Sequence, residues 1–128
     1  FRFHWSFVPK PLVILSNFMV VLGYLIMAMA MEHNRFASSI IEISKNQKVI
    51  NTGPYRIVRH PMYTGGMIFF LFTPMALGSF WAVLPFGIVT AIPIVLRILN
   101  EEKLLMKDLA GYHDYCQKTK YRLIPYVW

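Results

Sequence analysis

Two stretches of this sequence hold residues of types that could do chemistry. GPYRIVRHPMYTGG, residues 53–66, sets Tyr55, Arg59, His60 and Tyr63 among two prolines and three glycines. RILNEEKLL, residues 97–105, sets Arg97 four residues before Glu101, with Glu102 next to it. A histidine can hold or move a proton near neutral pH. An arginine fork suits a carboxylate, and carboxylates and aromatic faces favour a cation. Arg97 and Glu101 share a helix face. Glu101 and Glu102 are about 100° apart on a helix, so one can face a bundle while the other faces solvent or a second group. The plainer readings are a re-entry turn with arginines at lipid head groups, and a surface ion pair worth about 0.3–0.5 kcal/mol.

The elements that must position these groups are apolar. The chain has 128 residues, of which 56% are hydrophobic and only 15% charged, and a mean hydropathy of +0.47. Soluble chains average about 25% charged residues, so lipid is part of the solvent. Residues 12–31 carry no charge and are long enough to cross a hydrocarbon core of about 30 Å. Residues 64–96 are also uncharged but too long for one crossing, and Gly78-Ser79 offers a turn. The expected spans are therefore residues 12–31, 61–77 and 80–99, in an all-α, multi-pass membrane bundle forming a single domain. Pro74, Pro85 and Pro93 are expected to kink the last two. Tyr24 and Asn17 are expected to satisfy a neighbouring helix.

With three spans, the middle connector and the tail fall on one side and hold eleven of the thirteen basic residues. The positive-inside rule makes that side cytosolic. Antiparallel neighbours of one hairpin then bring the His60 and Glu101 regions together there. His60 is placed to cap its helix and Pro61 suits the first turn. Gly65 and Gly66 allow close approach of a helix or of a ligand. Residues 36–43 could form a short interfacial helix through Phe36, Ile40, Ile41 and Ile43. Gln47 to Ile50 reads as extended, and the tail as an interfacial helix followed by an extended cover.

The net charge of +7 flanks apolar runs, which favours anionic lipid over nucleic acid as its explanation. The lone Cys116 allows no intrachain disulfide, and no metal-ligand spacing surrounds it. No GxGxxG fingerprint is present, which excludes a Rossmann-type cofactor site. The chain begins at Phe1, so the expectation is that an amino-terminal piece, with further helices, precedes it.

The succession GPYRIVRHPMYTGG, RILNEEKLL and GYHDYCQKTKYRLIP resembles the isoprenylcysteine carboxyl methyltransferase family, in a short, bacterial-type form. It is also similar to the related phospholipid N-methyltransferases. The resemblance covers residues 47–125 and implies methyl transfer from S-adenosylmethionine to a lipophilic acceptor at the cytosolic membrane face, with the bacterial inner membrane favoured over the endoplasmic reticulum. Carried over, it makes Gln47, Lys48, Val49 and Ile50 the border of the cofactor and Tyr55 and His60 its contacts. Tyr63 and Gly65 would shape the pocket, Glu101 or Glu102 would bind polar cofactor groups, and Arg97 would orient an acceptor carboxylate. An in-line displacement at a sulfonium needs orientation more than acid or base; an amine acceptor would need deprotonation, which His60 could assist. The alternatives are an NADPH-dependent reductase of the sterol type, whose members carry an RHPxY-like element and a similar tail, and a non-enzymatic membrane subunit.

Overall fold

The computed structural model describes residues 7–36 and 43–128. Among these the chain is helical and has no strand. The helices are α1 (Lys10–His33), α2 (Pro61–Ala76), α3 (Val83–Asp108) and α4 (Tyr112–Lys118), and Gly53–Arg56 makes one 3-10 turn before α2. The expected interfacial helix lies largely outside the described residues, as do Ile40 and Ile41.

α1 starts after Pro9 with Pro11 in its first turn, where a missing N–H leaves nothing unpaired. Its buried residues are Ser16, Gly23 and Ala30, seven apart, so one narrow stripe of small residues meets the protein. The rest is apolar and exposed: Ile14, Phe18, Val21 and Leu25 point outward. Only 11% of the apolar window is buried in α1, and the same share in α3, which is the pattern of helices solvated by lipid. Both helices are long and apolar enough to cross a membrane. α2 has 16 residues, about 24 Å, short of the roughly 30 Å of hydrocarbon. Two helices rather than the expected three therefore meet the length of a crossing unaided.

α2 runs antiparallel to α1 at backbone contact. A Cβ on Gly65 would lie 2.6 Å from the Gly23 carbonyl oxygen and 2.8 Å from the Met27 nitrogen; one on Gly23 would lie 2.7 Å from the Gly65 oxygen. No larger residue fits at this crossing, the small-residue packing that membrane helices use. Asn17 and Tyr24 do not reach a neighbouring helix as expected. The Asn17 amide donates to the Val13 carbonyl of its own helix at 2.8 Å, and Tyr24 is exposed.

α2 ends at the expected Gly78-Ser79 turn. Gly78 is left-handed (φ 81°), its N–H bonds the Met75 carbonyl at 3.0 Å and the Ser79 N–H bonds that of Pro74 at 2.8 Å. This pair of bonds is a Schellman ending. Phe80 to Ala82 continue the turn, so α3 begins three residues later than expected and places Pro85 in its first turn, where it breaks nothing. α3 returns antiparallel to α2, with Phe86 against Phe70 and Gly87 against Leu71. It continues past Leu99 to Asp108. The first charges end the apolar span but not the helix: Glu, Lys, Leu and Met are good helix formers, and Leu105 buries the far end against Tyr112, Tyr115 and Cys116.

Candidate active site

Three segments converge where α2 starts. The α1 end is held to the connector by the Asn34 amide, which donates to the Tyr55 hydroxyl at 3.2 Å, and by His33 Nδ1 against Thr52 Oγ1 at 3.2 Å. The residues after the 3-10 turn then enter α2 beside the emerging α3. A cleft of about 80 Å³, open on one side, lies between them. Gln47, Lys48, Val49 and Ile50 form one wall, Tyr55, His60 and Tyr63 a second, and Arg97 and Glu101 a third. These expected residues are brought together.

The Tyr63 hydroxyl is the hub of the third wall. It accepts from Arg97 Nε at 2.6 Å and donates to Glu101 Oε2 at 2.8 Å. One oxygen thus fixes a cation and an anion of the same helix face, at the level where α3 leaves its apolar run. The His60 ring lies 5.7 Å from that of Tyr63.

Three expectations need correction. Gly65 does not shape the cleft; it faces α1 and permits the crossing with Gly23, the helix option rather than the ligand one. Glu102 does not line the cleft. It is 6% exposed and accepts from Arg59 Nη1 at 2.9 Å and from Arg122 Nε at 2.7 Å, with His60 Nε2 at 3.2 Å. The step of about 100° between neighbours on a helix turns it away from Glu101. His60 makes no side-chain cap; its ring goes to Glu102, while its carbonyl accepts the Thr64 N–H at 3.0 Å.

Sequence reasoning left out the residues that roof the cleft. Asn34, Phe36 and Met62 line it, as do Leu104, Leu105, Tyr112 and Tyr115. Tyr112 and Tyr115 are three apart and share the inner face of α4, a spacing that could have flagged them; Asn34 follows α1 with no signal in its surroundings. Burial pushes the phenols of Tyr112 and Tyr115 up, so both stay neutral donors. Tyr55 is also raised by burial, with the Asn34 bond acting against it and the Glu101 charge with it. Tyr115 donates to the Tyr55 carbonyl at 2.7 Å. The buried Tyr112 hydroxyl has no hydrogen-bond partner, so a polar atom entering the cleft would find a donor there. Cys116 is buried and burial pushes its thiol up, which is the inert condition.

The lining suits a cationic ligand with polar edges. Glu101 offers a carboxylate and Tyr55 and Tyr63 offer aromatic faces toward a cation, and the free Tyr112 hydroxyl offers a bond to a polar edge. A nucleoside-sized ligand needs at least about 300 Å³, so it must occupy the open part of the cleft as well as its floor.

Comparison with known proteins identifies the family. The chain is 27% identical over 92% of its length to a Delta(14)-sterol reductase of Mus musculus, of which it covers 31%. It is 32% identical over 83% of its length to the Protein-S-isoprenylcysteine O-methyltransferase of Schizosaccharomyces pombe, covering 46% of that enzyme. Its fold matches that of the eukaryotic intramembrane Ras methyltransferase ICMT, with a TM-score of 0.81 at 22% identity over 91% of this chain and 43% of the other. The chain thus spans less than half the length of each of these relatives. Residues 11–110 match the family model for phospholipid methyltransferase, and on that match, which takes in nearly all of α1 and the whole of α2 and α3, the chain belongs to the phospholipid methyltransferase family.

Proposed function

We propose that the chain is a membrane-embedded methyltransferase that uses S-adenosylmethionine to methylate a lipophilic acceptor, with a prenylcysteine-like carboxylate as the favoured acceptor. The observation that carries this reading is the Arg97–Tyr63–Glu101 chain of hydrogen bonds, which holds a cation and an anion on one cleft at the edge of an apolar helix pair. Family membership and the fission-yeast methyltransferase relative support it.

Bound S-adenosylmethionine would supply an electrophilic methyl on a sulfonium, passed in line to the acceptor. Glu101, with the ring faces of Tyr55 and Tyr63, favours the cationic end of the donor. The 47–50 segment and Tyr112 border its polar parts. Arg97 pairs with the acceptor carboxylate and turns an oxygen toward the methyl. A carboxylate is already nucleophilic at neutral pH, so His60 is needed for proton removal only with an amine acceptor; with a carboxylate it positions Glu102 and Tyr63. The lipid-exposed sides of α1 and α3 give a lipophilic tail a place to lie. The basic connector and tail favour a cytosolic side for the cleft under the positive-inside rule.

The test is labelled methyl transfer by the purified chain in micelles, offered prenylated N-acetylcysteine, phospholipid amines and simple lipophilic acids. Transfer to the prenylated carboxylate, lost in Arg97→Ala, is the expected result. The mouse sterol reductase relative makes nicotinamide chemistry the competing reading. Binding of NADPH but not of S-adenosylhomocysteine would favour it and overturn methyl transfer.

A further inference from the structure

The RHPMYT stretch is tied to the tail by an unbroken set of bonds. Five successive tail carbonyls each accept one hydrogen bond from the α2 start. Arg59 Nε donates to Thr119 O at 2.8 Å and Arg59 Nη2 to Lys120 O at 2.9 Å. The backbone N–H of Arg59 donates to Tyr121 O at 2.9 Å and that of His60 to Arg122 O at 3.0 Å. Thr64 Oγ1 donates to Leu123 O at 2.7 Å. Glu102 locks the seam from α3 by accepting from Arg59 and Arg122 together, and Arg122 is backed by the Trp128 ring at 5.2 Å.

What this seam holds is α4. At one end α4 leaves α3 through Gly111, left-handed at φ 82°, a single-residue pivot with no Cβ to restrict it. At the other end Thr119 begins the seam. Between them Tyr112 and Tyr115 roof the cleft. The cavity is about 80 Å³, so a nucleoside-sized ligand reaches from beneath α4 into the open part of the cleft.

We propose that Arg59, Glu102 and Arg122 form a clasp that positions α4 as the lid of the cleft, so that lid closure and donor binding are coupled. Glu102 and Arg122 lie outside the cleft lining and act through α4, whereas Arg59 also reaches the cleft wall, so the coupling is read from Glu102→Gln and Arg122→Lys. This rests on the cleft being the donor site. Because a ligand can shift only an equilibrium in which it prefers one state, donor binding to the closed lid must tighten the clasp.

The experiment is limited trypsin digestion of the full chain in micelles, with cleavage after the exposed Lys118 and Lys120 read by mass, paired with calorimetric binding of S-adenosylhomocysteine. Arg59→Lys keeps the charge but cannot make the three-point contact. It should raise ligand-free cleavage about tenfold or more, the scale of one lost charge-assisted bond, and weaken S-adenosylhomocysteine binding by a similar factor. In the native chain, saturating S-adenosylhomocysteine should slow the same cleavages; a seam serving only stability would not respond to ligand. Glu102→Gln should behave like Arg59→Lys, and if either fails to fold, Arg122→Lys, partly exposed and charge-preserving, carries the same test. Unchanged ligand-free cleavage in folded variants overturns the clasp, and loosened tails with unchanged affinity overturn the coupling. A native chain that does not bind S-adenosylhomocysteine overturns the donor reading instead, and the clasp is then decided by the ligand-free cleavage rates.

Discussion

Replacing Tyr63 by phenylalanine removes one oxygen and leaves the ring, so its effect isolates the hub. That oxygen accepts from Arg97 at 2.6 Å and donates to Glu101 at 2.8 Å. Bonds to charged groups contribute about 1.5–3 kcal/mol each, but this site is open to water on one side, and solvent recovers part of both. Arg97 and Glu101 are four apart and can approach each other once the hydroxyl is gone, a pairing worth only about 0.3–0.5 kcal/mol. The net loss is therefore about 1.5 kcal/mol, or roughly tenfold in an equilibrium constant. Because the hub orients both charges, Tyr63→Phe should weaken S-adenosylhomocysteine binding by that factor and raise the acceptor KM as well. Glu101→Gln should affect the donor alone and Arg97→Lys the acceptor alone. The decisive measurement is a double-mutant cycle between Tyr63→Phe and Glu101→Gln on S-adenosylhomocysteine affinity, where the pair should lose less than the sum of the singles. Strict additivity, or a Tyr63→Phe chain with native affinity and native acceptor KM, refutes the shared hub.

Three further outcomes are expected. Gly65→Ala places a Cβ about 0.7 Å inside ordinary contact with backbone atoms of α1, so the helices must part, at a cost of about 1–3 kcal/mol. Its neighbour is the control: Gly66→Ala meets only the flexible Met27 thioether at 3.7 Å and should be neutral in the same denaturation assay in micelles. Gly78→Ala meets no atom within 4 Å but must hold φ near 81°, which costs about 1–2 kcal/mol for a residue with a Cβ, while Gly78→Asn should lose less. Cys116, buried and with its thiol raised by burial, should react slowly with a maleimide at neutral pH. Its rate should keep climbing as pH rises past the ordinary thiol range, and denaturant should restore that of a free cysteine.

The sequence carried the parts of this fold that depend on composition and on neighbours along the chain. Uncharged runs located α1 and the α2–α3 hairpin, and Gly78-Ser79 located the reversal, because only a residue tolerant of positive φ ends a helix that way. Antiparallel neighbours must share an end, which brings His60, Tyr63, Arg97 and Glu101 together from connectivity alone. Boundaries were less legible. α3 runs on to Asp108 because leaving the lipid removes apolar solvent without removing helix propensity. The role of Arg59 was legible only in part: hairpin geometry brings it near Glu102, but its other two side-chain partners are the backbone carbonyls of Thr119 and Lys120, which have no sequence identity. Gly65 illustrates the same limit, since nothing local distinguishes a glycine that admits a ligand from one that admits a helix.

The acidic pair gives the sharpest case of how position along a helix sets function. Glu101 and Glu102 are the same chemical group one residue apart, yet a rotation of about 100° separates them. Glu101 faces the cleft through a single neutral hydroxyl donor, so much of its accepting capacity is open to a ligand. Glu102 spends its oxygens on two arginines and a histidine and is enclosed by them. Moving the doublet by one residue would hand the clasp to a lysine, Lys103, and leave the arginines facing a like charge. The two carboxylates are therefore not interchangeable: on the proposed reading the first meets the donor and the second holds the lid. A variant that moved the cleft carboxylate along the helix, such as Glu101→Gln with Lys103→Glu, should not recover donor affinity, because residue 103 is exposed and about 200° around the helix from Glu101.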